Sequence, residues 1–182
     1  MKRVTLLDKQ FRLSVSASQI KTIVNLMADR INEDFAGQEI VFVSVLNGSF
    51  VFAADLVRRI RLSAQIHFVK IVSYHGASSS GEPCTLIGLD PKCVEGKRVI
   101  ILEDIVDSGL TIEHTVAMLK AYRPASVAVA ALFFKPQRYH QNKLKIDYYG
   151  FEIPDRFIVG YGLDYCGEGR LFPDVYEEDK SV

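Results

Sequence analysis

The chain has few cysteines, no net charge and no long apolar run, and each shortage removes a class of protein. Cys84, Cys93 and Cys166 are odd in number and show no Cys-x-x-Cys spacing in 182 residues. That argues against a disulfide framework or a structural zinc site. Scattered thiols suit a reducing compartment, so the cytoplasm is the expected location. Lys plus Arg equals Asp plus Glu at 22 each. Without a global field, neither nucleic acid nor a membrane is an expected partner, and any anion site must be local. The longest apolar run, residues 127–134, is far shorter than a membrane span. A shorter run at 4–7 is cut off by Asp8 and Lys9. His67, His75, His114 and His140 show no metal-ligand spacing. Repeats, low-complexity tracts and linkers are also missing, so residues 1–182 read as one domain. At 48% hydrophobic, it has enough apolar chain for a substantial core.

What is present is an alternation of helical and strand periods. Ile20, Ile23, Val24, Met27 and Ile31 fall on one helical face, with Ser16 and Gln19 spaced as a capping box ahead of them. Residues 39–46 read as a buried strand, Asn47-Gly48-Ser49 as a tight turn and residues 50–61 as a helix. Strands are expected at 65–72, 85–89, 98–102 and 126–134, a helix at 110–122, and short strands at 146–149 and 157–159. The Ser- and Gly-rich stretch 73–83 reads as a long mobile loop. This order predicts an α/β fold with a mainly parallel central sheet flanked by helices. Such sheets bind ligands beyond the carboxyl ends of their strands. Unusual clusters fall at four such ends: residues 46–49, Ser73-Tyr74, residues 103–111, and Lys135.

One of these clusters speaks of chemistry directly. Val99-Ile100-Ile101-Leu102 runs into Glu103-Asp104, then Ile105-Val106, then Asp107-Ser108-Gly109-Leu110-Thr111 at a helix start. Carboxylates at a strand end can hold a sugar diol or a divalent cation, and a glycine turn opening a helix presents N–H groups to a phosphate. Ribose and phosphate together point to a phosphoribosyl ligand. Two plainer readings stand beside this one: a solvated strand end for Glu103-Asp104 and a helix cap for Asp107.

The segment resembles the phosphoribosyl pyrophosphate (PRPP) signature of type I phosphoribosyltransferases, which is four apolar residues, two acids, two apolar residues, then Asp-Ser/Thr-Gly-x-Thr. Almost the whole chain is similar to the 6-oxopurine branch of that family. The run from Phe151 through Glu-Ile-Pro-Asp-Arg-Phe-Ile-Val-Gly-Tyr-Gly-Leu-Asp to Tyr165 carries the likeness towards the C-terminus. The resemblance implies the type I phosphoribosyltransferase fold, with a core at roughly 36–145 and a small hood from the terminal segments. It implies Mg²⁺-dependent transfer of the phosphoribosyl group from PRPP to hypoxanthine or guanine, by a homodimer or homotetramer.

By the same resemblance, Glu103, Asp104, Asp107, Ser108, Gly109, Leu110 and Thr111 hold the ribose and 5′-phosphate. Asp107 also handles the purine proton as the catalytic residue. Leu46, Asn47, Gly48 and Arg170 hold diphosphate, in a turn that often carries a non-proline cis peptide. Ser73 and Tyr74 open a lid. Lys135 donates to the purine O6, Phe157 stacks on the ring and the Ile158 backbone reads its edge. Glu103, Asp104 and Asp164 lie near magnesium. The chain departs from many relatives at Asn47, where they have Lys or Arg, and in the Tyr-Cys-Gly-Glu-Gly stretch before Arg170. A PRPP-sensing regulator of the same fold and a xanthine-preferring enzyme are the other readings.

Overall fold

A computed structural model describes residues 2–73, 83–139 and 144–179. The chain opens with strands β1 (Arg3–Leu6) and β2 (Lys9–Val15), followed by helix α1 (Ala17–Asp34), strand β3 (Ile40–Leu46) and helix α2 (Phe50–Val57). Then come β4 (Ala64–Ser73), β5 (Pro83–Ile87), β6 (Arg98–Val106), helix α3 (Leu110–Ala121) and β7 (Ser126–Phe134). Strands β8 (Tyr148–Glu152), β9 (Ile158–Val159) and β10 (Val175–Glu178) complete the order.

Two sheets divide these strands. The larger has the order β5-β4-β3-β6-β7-β8, and the smaller β1-β2-β10-β9. In the larger, every neighbouring pair is parallel except β4 with β5. The mainly parallel sheet expected from the strand–helix alternation is therefore the one observed. Period-two alternation serves two cores at once. Phe42, Ile100 and Leu102 pack with Ile20, Val24, Phe52 and Leu56 of α1 and α2. Val43, Val99 and Ile101 pack with Ile112, Val116 and Leu119 of α3 on the other side. Because both faces are covered, the central strands read as continuous apolar runs.

The capping box opens α1 as the spacing foretold: Ser16 accepts from the Gln19 N–H, and the Gln19 side chain accepts from the Ser16 N–H. Other expectations needed correction. The second helix ends at Val57, not at residue 61, and gives way to turns closed by Arg59 N–H to Leu56 O and Ile60 N–H to Val57 O. The strand at 98–102 continues to Val106, because its ladder with β7 runs on through Ile105 opposite Phe133 and Val106 opposite Phe134. The smaller sheet joins the two ends of the chain, since β10 pairs with both β2 and β9. Only its two-residue β9 overlaps a strand expected from sequence, at 157–159. Leu6, Phe11, Val159 and Tyr176 form its own apolar core. The loop and lid expectations at 73–83 fall largely outside the described residues; Ser73 and Pro83 pair at the end of the β4–β5 ladder, and Tyr74 is not described.

Candidate active site

The carboxyl ends of β3, β6 and β7 meet the C-terminal loop around a cavity of about 300 Å³. Leu46 lines it from the last position of β3 and Gly48 from the turn that follows, Glu103, Asp104 and Asp107 from β6 and its end, Thr111 from α3, and Lys135 from the end of β7. Phe157, Ile158, Asp164 and Arg170 close it from the C-terminal side. A second hollow, of about 220 Å³, is lined by Glu103, Asp107, Ser108, Gly109 and Thr111. The described sequence-derived candidates thus gather in one place, apart from Asn47, Leu110 and Ser73. Leu110 is 45% exposed on the first turn of α3, where a backbone N–H is the group available to a ligand.

The turn after β3 is fixed from within. Ser49 Oγ lies 2.6 Å from Ser44 Oγ and donates to the Val45 carbonyl at 2.5 Å, all buried. The Leu46–Asn47 peptide is cis. Gly48 presses directly on the acidic strand, for a β-carbon there would lie 1.6 Å from Asp104 Oδ2. Gly162 in turn rests on Gly48, whose carbonyl oxygen would be 2.0 Å from a β-carbon at 162. Three segments far apart in sequence therefore meet with no room for a methyl group between them.

Glu103 and Asp104 are buried, which corrects the reading of a solvated strand end. Loss of water, then the charge and hydrogen bonding of Asp104 beside it, push Glu103 well above the usual carboxylate range. Burial also raises Asp104, against the restraint of Glu103, of the Ile105 N–H at 2.9 Å and of the Arg170 charge. Glu103 Oε2 finds no hydrogen-bond partner among the described residues. Two adjacent buried carboxylates, one with an orphaned oxygen, are costly to fold and suit a cation or a sugar diol.

Asp107 is not the cap of α3, which disposes of the other plain reading. The cap position is Gly109 at φ 92°, with no side-chain capping bond. Instead, Asp107 Oδ2 accepts from Lys135 Nζ at 3.2 Å and Oδ1 lies 2.7 Å from Arg138 Nε. Lys135 is placed there because its N–H donates to the Val106 carbonyl at 2.9 Å, carrying the β6–β7 pairing one step past the last strand residue. Its side chain is only 6% exposed. Phe157 packs edge-on against Tyr165 at 5.7 Å and keeps 40% of its surface open.

Asp164 lines the same cavity but is engaged elsewhere: Oδ1 lies 2.6 Å from an Arg170 nitrogen, and Oδ2 accepts from the Gly167 N–H at 2.7 Å. Arg170 also donates to the Gly162 carbonyl at 2.6 Å, which ties it to the rim despite the unusual stretch before it. Among the described residues, no three His, Cys, Asp or Glu side chains converge as a metal-holding group. Two charged residues escaped the sequence reading, Arg138 and Asp155. Arg138 Nη1 lies 3.3 Å from Asp155 Oδ2, and Lys135 Nζ 3.5 Å from Asp155 Oδ1. The one available signal was position, since Arg138 follows Lys135 by three residues and Asp155 lies within the run ending at Tyr165.

A sheet whose strand ends carry buried acids, a glycine-opened helix and a lysine beside an aromatic face defines a ribosyl-phosphate-handling protein. The model of the phosphoribosyl transferase domain matches residues 16–166, and the chain belongs to that family. It is similar to hypoxanthine phosphoribosyltransferase of Buchnera aphidicola, at 36% identity over 90% of this chain and 93% of that protein. In three dimensions it is similar to a hypoxanthine-guanine phosphoribosyltransferase from Bacillus anthracis, with a TM-score of 0.83, 36% identity, and coverage of 96% of this chain and 100% of that one. Trypanosoma cruzi hypoxanthine phosphoribosyl transferase, studied for the role of its C-terminal region in oligomeric state and activity, aligns at TM-score 0.84 and 29% identity. That match covers 97% of this chain and 95% of that one.

Proposed function

We propose that the chain transfers the 5-phosphoribosyl group of PRPP to hypoxanthine or guanine, releasing diphosphate and the nucleoside 5′-monophosphate, a reaction of purine salvage. One observation carries this reading: a single cavity joins the acids and helix start suited to a ribose phosphate to a buried lysine and an open aromatic face suited to an oxopurine. Glu103 and Asp104 hold the ribose hydroxyls. The Ser108 and Thr111 hydroxyls and the first N–H groups of α3 receive the 5′-phosphate. Backbone at Leu46, Asn47 and Gly48, with Arg170, receives the diphosphate.

In this reaction the bond from C1′ to the diphosphate oxygen breaks as the bond from purine N9 to C1′ forms. Lys135 donates to O6, Phe157 stacks on the ring, and the Ile158 backbone meets the purine edge. Asp107 takes or relays the proton at N7 as the base becomes a nucleophile. Positioning and electrostatics supply the acceleration, because no covalent bond to the protein is required. For magnesium, the adjacent buried acids Glu103 and Asp104 are the residues that would hold it, and Asp164, the third residue expected near it, lines the same cavity but is engaged by Arg170 and Gly167. Magnesium commonly takes one or two carboxylates and completes its shell with phosphate and water. When bound, it supplies charge neutralisation on the diphosphate.

Work as a homodimer or homotetramer belongs to the same reading. No helix among the described residues is long and apolar enough to cross a membrane, and three free thiols suit the cytoplasm. The test is a PRPP-dependent assay with hypoxanthine, guanine, xanthine and adenine, with and without magnesium. Turnover of hypoxanthine or guanine is expected. Turnover of none of the four would leave a PRPP-binding regulator as the better account.

A further inference from the structure

The proposed purine chemistry uses Asp107 and Lys135, yet two further residues close a ring of alternating charge around them. Asp107 Oδ2 meets Lys135 at 3.2 Å, Lys135 meets Asp155 at 3.5 Å, Asp155 meets Arg138 at 3.3 Å, and Arg138 Nε returns to Asp107 Oδ1 at 2.7 Å. Arg138 and Asp155 are about half exposed, at 47% and 48%. Pairs between side chains so open to water add little to stability, so stability alone gives this ring no purpose. What it does fix is the direction of each carboxylate oxygen.

The distances rank the contacts. A charge-assisted bond between a cationic nitrogen and a carboxylate oxygen normally spans about 2.7–2.9 Å. Arg138 Nε stands within that range of Asp107 Oδ1 as a close ion pair without the alignment of a hydrogen bond, whereas Lys135 stands beyond it from both of its acids while donating to Asp107 Oδ2. By distance Lys135 is the looser partner of Asp107, and its three-donor ammonium is the group that an incoming carbonyl oxygen can draw away. Arg138 is harder to displace. Its N–H donates to the Lys135 carbonyl at 3.1 Å, which sets it in the turn directly after β7. Its planar guanidinium spans two carboxylates, so rotation would break both contacts.

We propose that Arg138 is the positioning residue of the purine half-site: it retains Asp107 by Oδ1 and leaves Oδ2 aimed at the purine ring nitrogen once Lys135 transfers to the exocyclic oxygen, while Asp155 steadies both cations. The proposal rests on the 6-oxopurine reading and deepens it. Without Arg138, the Asp107 carboxylate is free to rotate and Lys135 gains it as an uncontested partner. Both groups are then turned from the substrate.

The experiment compares the full chain with Arg138→Gln, Arg138→Lys and Asp155→Asn, using steady-state kinetics with hypoxanthine and equilibrium binding of PRPP. A small misplacement of a reacting group costs up to about 100-fold, so Arg138→Gln is expected to lower kcat/KM for the purine about 10- to 100-fold. PRPP affinity should stay within about twofold, since misplacement is confined to the purine side. Arg138→Lys should fall between the two, because an ammonium keeps the charge without the fork. Unchanged kcat/KM in Arg138→Gln overturns the proposal. So does a parallel loss of PRPP binding, which is the mark of a merely structural role. Should Arg138→Gln fail to fold, Asp155→Asn decides: a several-fold loss on the purine side alone supports the proposal, and wild-type kinetics overturn it. An unsubstituted chain that turns over no 6-oxopurine overturns the underlying reading, a result distinct from an active chain indifferent to Arg138.

Discussion

Asp107 carries more of the proposed chemistry than any other side chain, and its isosteric amide isolates that contribution. Asp107→Asn keeps the shape but cannot take a proton and weakens the pairs with Lys135 and Arg138. Turnover is expected to fall about 100- to 10,000-fold, the usual worth of a positioned acid–base group. PRPP binding measured by calorimetry should be largely kept, and an unaltered kcat would remove Asp107 from the base role. Gly48 makes the opposite kind of demand, for space. Alanine there places a methyl group against Asp104, itself only 8% exposed. Overpacking of this kind costs about 1–3 kcal/mol, and the displaced carboxylate should weaken PRPP binding at least tenfold, roughly a 1.4 kcal/mol effect. At this scale the sequence was legible wherever a residue type was improbable in its surroundings: acids after four apolar residues, or a lysine ending an apolar strand. Arg138 and Asp155 were illegible because exposed charges are common and carry no period; the turn after Lys135 brings Arg138 to Asp107, and the loop after β8 brings Asp155 to Lys135 and Arg138.

Elements were legible in proportion to the regularity of their burial. Helix α1 showed both its apolar stripe and its capping box, and the box supports a direct measurement. Ser16→Ala removes the acceptor for the Gln19 N–H and is expected to cost about 1 kcal/mol. Urea unfolding should show a lower midpoint with an unchanged slope. A shift under a few tenths of that amount would mean that the tie from the Ala17 N–H to Asp174 at 2.9 Å already holds this end of the helix. Strands β1, β2 and β10 escaped the sequence reading for a physical reason. β2 and β10 pair across more than 150 residues in an antiparallel ladder such as Tyr176 with Leu13, and no local pattern encodes that partner, while β1 only adds to its edge through a tight hairpin with β2. The end of β6 was misplaced because two acids imitate a strand end, although ladder bonds to β7 carry them inside.

On the scale of the whole molecule, the acidic pair sets function against stability, and the conflict has a definite sign in pH. Burial and the charge of Asp104 raise Glu103 in the folded chain above its unfolded value. Between those two values the folded state keeps a proton that the unfolded state has released, so stability falls as pH rises through the window. Below the unfolded value both states are protonated and the penalty vanishes. Glu103→Gln removes the titration, so its advantage over the unsubstituted chain should be near zero at about pH 4 and grow towards neutrality. A relieved buried charge is worth about 1–3 kcal/mol, and in a domain of this size that corresponds to a rise of roughly 2–12 °C in Tm. Thermal scans from acid to neutral pH without divalent cations measure it directly. A constant offset at every pH would assign the effect to packing instead of charge. Magnesium with PRPP should raise the Tm of the unsubstituted chain more than that of the variant, because binding to the folded state alone stabilises it and the carboxylate is among the groups proposed to bind.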